Sequence, residues 1–393
     1  MVPPSALDQP TAPASAPASL TGRLSVGERY RLQTWFLGII AFAVILTVLM
    51  QARFILTSLV FAIIIFSLTT DAINSISRLR IGSWRITNWL ASVVAFALIA
   101  GGLLTMAGLI ITQVNTVVTT TIAYTDQAIA AIAGVFAFMG PDTEAAVAAS
   151  IRSVDLSGYM RAAAGQVGNL LSAVTLVILF VGFLFSERLW FNTKLENLME
   201  DQARAARISA IIRSIIRRVN HYLIVKTGVS FVTGAAVYVT MLGFGLEFAM
   251  AMAVVTFVLN YLPSVGSIVA TLIVVLVAYL QVPEVGFAVL MLVIVGMTQF
   301  ILGSVIDPML MGKALRVSAF GIIISLAFWG MVWGVPGAFL AVPILVAAMI
   351  ICAHIPSARP VAILISREGL PDFEDDLVTS ASTPSPEARQ AAE

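Results

Sequence analysis

The sequence predicts an all-α, polytopic integral membrane protein with about eight membrane segments, including two broken-helix hairpins in the C-terminal half. Its 393 residues are 59% hydrophobic and only 11% charged, whereas soluble domains carry about 25% charged residues. The chain also contains charge-free stretches that reach the roughly 20 residues a helix needs to cross a bilayer. Lipid must therefore cover part of the apolar surface. The net charge of +1 gives no indication of a nucleic-acid partner.

Charge-free stretches locate the predicted segments along the chain. They cover residues 32–52, 54–70, 86–111, 162–186, 227–246, 248–283, 285–306 and 317–358. The stretches 248–283 and 317–358 are too long for one simple crossing, and each contains Pro and Gly near its middle. Because both residue types interrupt helices, each stretch is predicted to fold back as a hairpin. The pattern is compatible with re-entrant and with fully crossing hairpins.

Lys and Arg near the segment ends predict the orientation, because short cytoplasmic loops are enriched in these residues. Basic residues precede the first segment, and seven more lie within residues 187–220, so both regions are predicted to be cytoplasmic. The segment 113–161 has an acidic excess and is predicted to lie outside. With both long stretches folded as hairpins, Lys313 and Arg316 also face the cytoplasm, and both termini lie there.

The predicted organisation has five parts. They are a disordered tail (1–22), N-terminal membrane helices with the outer segment 113–161 (23–186), a cytoplasmic amphipathic helix (187–220), a C-terminal region with the broken helices (221–355) and a cytoplasmic tail (356–393). No basic segment precedes an early apolar core, so the first residues are not predicted to be a cleavable signal peptide. The helix 187–220 fits either a coupling helix or an interfacial helix whose arginines contact anionic headgroups.

The first break contains the strongest group of candidate binding residues. Asn260, Pro263, Ser264, Gly266 and Ser267 lie within eight residues of one another in the middle of an apolar stretch. A helix that stops and restarts leaves backbone carbonyls and N–H groups unpaired, and transporters use such discontinuous helices to bind solutes. These residues are therefore predicted to form a site for a polar solute. The alternative is a structural kink whose free groups are satisfied by neighbouring helices.

The stretch 285–306 and the residues after it contain the second group. Asp307 is the only carboxylate between Glu284 and Glu368, and ionisable groups at membrane depth are usually functional. Asp307 could bind a cation or a proton. The alternatives place it at the water interface as a helix cap or pair it with Lys313. Gln299 precedes it by about two helical turns and is predicted to line a solute path.

The second break lies at Pro336 and Gly337, again in the middle of a long apolar stretch. Two interrupted stretches in matching positions are typical of an inverted-repeat binding site. Other classes of function are excluded by the residues that are missing. The chain has one cysteine and two histidines, so a disulfide within it or a Cys/His metal cluster is not predicted. No Gly-x-Ser-x-Gly, phosphate-loop or His-Glu-x-x-His motif occurs, so neither an enzyme nor an ATP-driven engine is expected.

Three ordered blocks of the sequence carry a family resemblance. They are Asn260-Tyr-Leu-Pro263-Ser-Val-Gly266, Asp307-Pro308-Met-Leu-Met-Gly312-Lys313-Ala-Leu315 and Gly334-Val-Pro336-Gly337-Ala-Phe-Leu-Ala-Val-Pro343. In order and spacing these blocks resemble those of the autoinducer-2 exporter family of bacterial membrane proteins, over most of residues 30–355. Two positions depart from the family pattern: Ser264 stands where Tyr is usual, and Arg316-Val-Ser follows the Lys block.

The resemblance implies a homo-oligomeric transporter without a cofactor. Similar members are linked to export of the quorum-sensing furanone autoinducer-2, and others resemble sodium- or lithium-proton antiporters. We therefore expect export of a small polar solute, autoinducer-2 first, across the bacterial inner membrane by gradient-driven alternating access. The site is expected between residues 260–267 and the Pro336–Gly337 break, with H⁺ or Na⁺ coupled at Asp307. The alternatives are cation–proton antiport and a non-transporting membrane scaffold.

Overall fold

The computed structural model describes residues 26–76, 88–123, 129, 133–134, 140–153, 156–198, 201–263, 265–311, 317–367 and 369. Within these residues the regular structure is helical, and the one extended pairing is an isolated antiparallel bridge between Val317 and Ser366. Seven of the described helices are long and apolar enough to cross a membrane, and three shorter apolar helices accompany them. The predicted class, an all-α polytopic membrane protein, is confirmed.

Six α-helices among the described residues lie in the N-terminal half. They are α1 (Val26–Gln51), α2 (Arg53–Ile76), α3 (Asn88–Ala123), α4 (Pro141–Arg152), α5 (Leu156–Glu187) and α6 (Phe191–Leu198). Residues 1–50 form a unit by themselves, and the large apolar side chains of α1 from Trp35 onward are mostly more than half exposed. In the second unit α2, α3 and α5 pack together. Phe185 meets Phe66 and Phe96 edge to face, with ring centroids 5.0 and 6.4 Å apart.

The described residues of the C-terminal half form eight further α-helices and a π-helix. They are α7 (Gln202–Gly243), α8 (Ala249–Leu259), α9 (Val265–Gln281), α10 (Val285–Phe300), the π-helix (Ile301–Ile306), α11 (Asp307–Met311), α12 (Ala319–Trp333), α13 (Val335–His354) and α14 (Arg359–Ile365). One buried apolar cluster joins α7, α13 and α14, and a second joins the four helices α7, α8, α9 and α10. Many large apolar side chains remain exposed on the outside, among them Phe231, Leu272 and Met331. Such a surface suits lipid rather than water.

A single unbroken helix of 42 residues, α7, replaces two predicted elements. The sequence analysis separated an amphipathic helix at 187–220 from a membrane segment at 227–246, because Lys226 ended the charge-free stretch. In the structure residues 191–198 form the separate helix α6, and α7 begins after its N-cap Asp201 and runs without interruption to Gly243, through most of both regions. Lys226 is 4% exposed, so its charge does not mark a membrane boundary. At 1.5 Å per residue the helix is about 63 Å long, well beyond the roughly 30 Å hydrocarbon core.

The stretch 248–283 folds as the predicted hairpin, here called the first hairpin, of α8 and α9. Its two ends are joined by a pair of hydrogen bonds: the Glu247 N–H donates to Gln281 Oε1 at 2.6 Å, and Gln281 Nε2 donates to the Glu247 carbonyl at 3.2 Å. The chain therefore enters and leaves at the same end. With 11 residues, α8 is about 17 Å long, so this arm is too short to cross the hydrocarbon core.

The second hairpin, of α12 and α13, is closed in a similar way. The Ser318 N–H donates to the Ile365 carbonyl at 2.8 Å, next to the Val317–Ser366 bridge. The helices turn at Gly334, whose φ of 68° and ψ of −147° are accessible essentially only to glycine. Both predicted interruptions are thus present, because at each one the chain stops a helix and starts another.

The fold continues past the predicted boundary at residue 356. The short helix α14 packs on α13, and its Ala362 is fully buried. The apolar run of residues 361–365 explains the difference, because it has a face to bury although acidic and Pro-rich sequence follows it. Several predicted features lie outside the described residues. They are the tail 1–22, residues 124–128, 130–132, 135–139 and 154–155 of the outer segment, and Lys313 with Arg316.

Candidate functional site

A cavity of about 540 Å³ lies between the first hairpin and the helices around it. Its lining comes from α7, α9, α10, the π-helix and α11, with single residues from the first break, α12 and α13. The polar side chains of the described lining are those of Tyr222, Lys226, Ser267, Thr271, Gln299, Ser304 and Asp307; the remainder is apolar or glycine. A mostly apolar cavity of several hundred Å³ with a few convergent polar groups is the usual form of a small-molecule site.

A buried ion pair forms the charged part of this cavity. Lys226 Nζ of α7 donates to Asp307 Oδ2 of α11 at 2.7 Å, and the two side chains are 5% and 11% exposed. An isolated buried charge loses several kcal/mol of hydration free energy, so each ion makes the other tolerable. Asp307 is therefore not an exposed cap at the water interface. The alternative partner, Lys313, lies outside the described residues.

Three polar atoms of two cavity-lining residues have no hydrogen-bond partner among the described residues. They are Asp307 Oδ1 and both side-chain amide atoms of Gln299, Oε1 and Nε2, and all three are buried. Leaving a buried polar group unpaired costs about 1–3 kcal/mol, and native structures contain few such groups. Both residues line the cavity, so a rotation of either side chain would present these atoms to a molecule inside it.

The backbone widens immediately before Asp307. Residues Ile301–Ile306 form a π-helix, and the Asp307 N–H bonds to the Leu302 carbonyl five residues earlier. Pro308 accounts for this locally, since its ring would clash with the Ser304 carbonyl in a regular helix and it has no N–H to donate. Short π-helical segments are frequent at functional sites. Here the segment positions Gly303, Ser304 and Asp307 along the cavity wall.

Asn260 braces the first break from behind rather than lining the cavity. It is 2% exposed, and its Nδ2 donates to Ser230 Oγ of α7 at 3.1 Å while its Oδ1 accepts from Ser267 Oγ at 3.2 Å. Of the other residues predicted here, Pro263 and Ser267 line the cavity, and Ser264 lies outside the described residues. Asn260 thus fixes the orientation of a side chain that does reach the cavity.

The glycines at the two breaks have matching roles in the backbone. A Cβ on Gly266 would lie 1.7 Å from the Leu259 carbonyl oxygen, and one on Gly337 would lie 2.0 Å from that of Trp329. In both hairpins the outgoing helix therefore begins against the last turn of the incoming helix, which only glycine permits. Pro336 is exposed and Gly337 is buried, and neither is among the described residues that line the cavity.

Tyr261 links the two hairpins. It stands in the first break, and its ring stacks on that of Phe339 in α13 with centroids 5.4 Å apart and an interplanar angle of 27°. Its hydroxyl lies 2.7 Å from Thr227 Oγ1 of α7. Because Thr227 already donates to the Leu223 carbonyl, the phenol is the donor. The predicted proximity of the breaks is therefore present as an aromatic contact, outside the cavity lining.

Sequence reasoning missed Lys226 and Tyr222, both on α7 and both in the cavity lining. The available signal was a single Lys at the edge of an apolar stretch, eight residues after the Arg pair 217–218. Reading it as the end of a segment was reasonable, because most membrane lysines lie near helix ends. The pairing with Asp307, 81 positions away along the chain, leaves no local pattern.

These observations define a class: an α-helical multi-pass membrane protein with a mostly apolar cavity that contains a buried ion pair and lies beside a broken helix. Comparison with known families agrees. The sequence profile of the AI-2E family of transporters matches residues 39–357, and the chain belongs to this family.

Three curated relatives each have 30% sequence identity to this chain. The AI-2 transport protein TqsA of Escherichia coli K12 is 30% identical over 207 residues, which is 51% of this chain and 57% of TqsA. Provisionally named transport proteins of Borreliella burgdorferi and Haemophilus influenzae are each 30% identical, over 52% and 54% of this chain respectively and 58% of their own lengths. The aligned stretches thus span little more than half of these curated relatives.

Proposed function

We propose that this protein exports a small polar solute, autoinducer-2 or a similar signalling molecule, across the bacterial inner membrane by gradient-driven alternating access. The observation that carries the proposal is the set of unpaired buried polar atoms in the cavity, at Gln299 and Asp307. A hydroxyl-rich solute both donates and accepts hydrogen bonds, so it can satisfy the amide oxygen, the amide nitrogen and the free carboxylate oxygen together. The relative TqsA is named as an AI-2 transport protein, which supports this choice of solute.

The two hairpins are the moving parts in this proposal. Each is joined at its open end, by Gln281 to Glu247 in one and by the Val317–Ser366 bridge in the other, so each can shift as a body. Their contact through Tyr261 and Phe339 would open and close access to the cavity. Pro263 and Ser267 would contact the solute, Asn260 would orient Ser267, and Gly266, Pro336 and Gly337 would shape the two breaks. Ser264 completes the proposed site.

Coupling to H⁺ or Na⁺ is proposed at Asp307, the one carboxylate among the described cavity residues. Cytoplasmic termini and assembly into homo-oligomers complete the proposal. Sodium(lithium)–proton antiport is the second candidate, and the buried Lys226–Asp307 pair favours it, because a carboxylate that always has a cationic partner suits the exchange of cations. A non-transporting scaffold has no need for an open, polar cavity.

The experiment compares Gln299→Leu with Thr298→Val in proteoliposomes. Leu has a volume close to that of Gln and removes two unpaired buried atoms, so stability should be kept or rise. Efflux of autoinducer-2, and of Na⁺ in a parallel assay with a proton gradient, should fall at least about tenfold if Gln299 binds the solute. Thr298 is the matched control, since it is adjacent, bonds only to its own helix at the Ile294 carbonyl and is not in the described cavity lining. Normal efflux in Gln299→Leu would refute the proposed site.

A further inference from the structure

The Lys226–Asp307 pair is incompletely satisfied for a purely structural ion pair. A buried pair stabilises a fold only when additional hydrogen bonds occupy the remaining lone pairs. Here Asp307 Oδ2 accepts from Lys226 at 2.7 Å, but Oδ1 of the same carboxylate is buried and has no partner among the described residues. One oxygen of the carboxylate therefore lacks a partner, and Asp307 borders a cavity large enough for a small solute or an ion.

We propose that Lys226 is a tethered counter-ion, which a transported monovalent cation displaces from Asp307. The inference rests on the proposed transport function and specifies its coupling step. A Lys side chain is a compact point charge on a flexible stem, so its ammonium can leave the carboxylate without any movement of α7. The carboxylate then binds the incoming cation, and at no stage is it left buried without a positive partner.

The displaced ammonium has an acceptor in the same cavity. Gln299 Oε1 is buried and accepts no hydrogen bond from the described residues, and Gln299 and Lys226 both line the cavity. An ammonium donates three hydrogen bonds and an amide oxygen accepts two, so the exchange replaces one charge-assisted bond by another. In the empty state Lys226 contacts Asp307, and Gln299 Oε1 is unpaired. In the occupied state a cation is bound to Asp307, and Gln299 Oε1 accepts the displaced ammonium.

The cation can be a metal ion, Na⁺ or Li⁺, or a proton, since each neutralises a carboxylate. The titratable groups that share the described lining with Asp307 are Lys226 and Tyr222, both on α7. The side chains that the first hairpin, α10, α12 and α13 contribute to that lining are not titratable. Competition at this site is therefore between the incoming cation and Lys226 alone, and removing Lys226 must strengthen cation binding.

The test measures thermal unfolding of the full chain in lipid nanodiscs. NaCl or LiCl replaces choline chloride at constant ionic strength, and a separate series in choline varies only the pH. A ligand that binds the folded state raises its stability in proportion to the logarithm of its concentration. The variants are Lys226→Gln, Asp307→Asn and the double variant. Thr233→Val is the control, because Thr233 is a buried residue of α7 that bonds to its own helix and not to the cavity.

Lys226→Gln should bind its cation at least about tenfold more tightly than the unmodified protein, because Lys226 no longer competes for Asp307. A tenfold ratio corresponds to about 1.4 kcal/mol of binding free energy. Asp307→Asn and the double variant should not respond, and Thr233→Val should respond as the unmodified protein does. A response to Na⁺ or Li⁺ identifies a metal ion, and a response to acid alone identifies the proton; both support the inference. No solute is present, so a failure here is distinct from a failure of solute export.

Two results would overturn the inference. One is a Lys226→Gln variant that responds to salt and pH no more strongly than the double variant. The other is a Lys226→Gln variant that folds in none of these buffers although the double variant folds, since no cation then replaces the ammonium. If neither Lys226→Gln nor the double variant folds, the unmodified protein is compared with Asp307→Asn. The inference requires that the melting temperature of the unmodified protein respond more strongly to Na⁺, Li⁺ or acid, and equal responses would refute it.

Discussion

Replacing Gly266 by Ala tests the geometry of the first break. The added Cβ would lie 1.7 Å from the Leu259 carbonyl oxygen and 2.7 Å from the carbonyl carbon, with Leu262 Cβ at 3.0 Å. The first two of these atoms belong to backbone, which cannot rotate away as a flexible side chain can. The start of α9 must therefore move by more than about 1 Å, and overpacking of this kind costs about 1–3 kcal/mol or more. We expect the upper end of that range, because the displaced helix also carries Ser267.

A matched control separates this clash from a general effect of adding a methyl group. Gly296 lies within α10 and lines the same cavity, but a Cβ there meets nothing within 4 Å. Gly296→Ala should therefore be neutral or stabilise α10 by up to about 1 kcal/mol through helix propensity. Both variants are measured by thermal unfolding in nanodiscs and by hydrogen exchange across residues 259–267. If Gly266→Ala melts within a degree of the unmodified protein, the close approach of the two helices is wrong.

Three further contacts give smaller expected effects. Gln281→Ala removes both hydrogen bonds to the Glu247 backbone at the open end of the first hairpin; amide exchange at Glu247 should accelerate by up to about tenfold, and an unchanged rate would contradict the pairing. Tyr261→Phe keeps the aromatic stack but loses the bond to Thr227, so unfolding should become easier by about 1 kcal/mol; Tyr261→Ala should cost more, by about 0.5–1.5 kcal/mol for the stack in addition to the lost burial of the ring, and equal melting of the two variants would show that the stack contributes nothing. Ser325→Ala removes a buried 2.8 Å bond to a carbonyl of α13 and should cost about 1 kcal/mol by thermal unfolding; no loss would mean that α12 and α13 do not depend on it.

The parts of the fold that sequence could predict are those with a local cause. Pro and Gly near the middle of each long apolar stretch favour a break, and the breaks are present between α8 and α9 and at Gly334. Composition does not decide every case, since Pro343 lies inside the continuous helix α13. The folding back of each stretch followed from the positive-inside rule, and the structure has both hairpins. Family membership followed from three ordered blocks, two of which contain these breaks.

The site itself depends on contacts between distant segments. Gln299 and Asp307 were identified as candidates, but Lys226, the ion-pair partner of Asp307, was not, because its role depends on how α7 is rotated against α11. That rotation is set by tertiary packing, which the sequence of either helix does not encode. For the same reason the sequence did not show that Asn260 bonds to Ser230 and to the cavity residue Ser267 while it is not itself in the described lining. Periodicity predicts that a helix forms and leaves the direction of each side chain open.

The length of α7 has a mechanical consequence. From Gln202 to Thr227 the helix contains neither Gly nor Pro, so its arginine-bearing first half and Lys226 belong to one stiff rod. From Arg204 to Lys226 this rod measures about 33 Å, and a tilt of only about 5° displaces one end relative to the other by about 3 Å. That displacement is comparable with the 2.7 Å separation of Lys226 Nζ and Asp307 Oδ2. A tilt of α7 would therefore change this contact directly, although Arg204 and Lys226 lie about six helical turns apart.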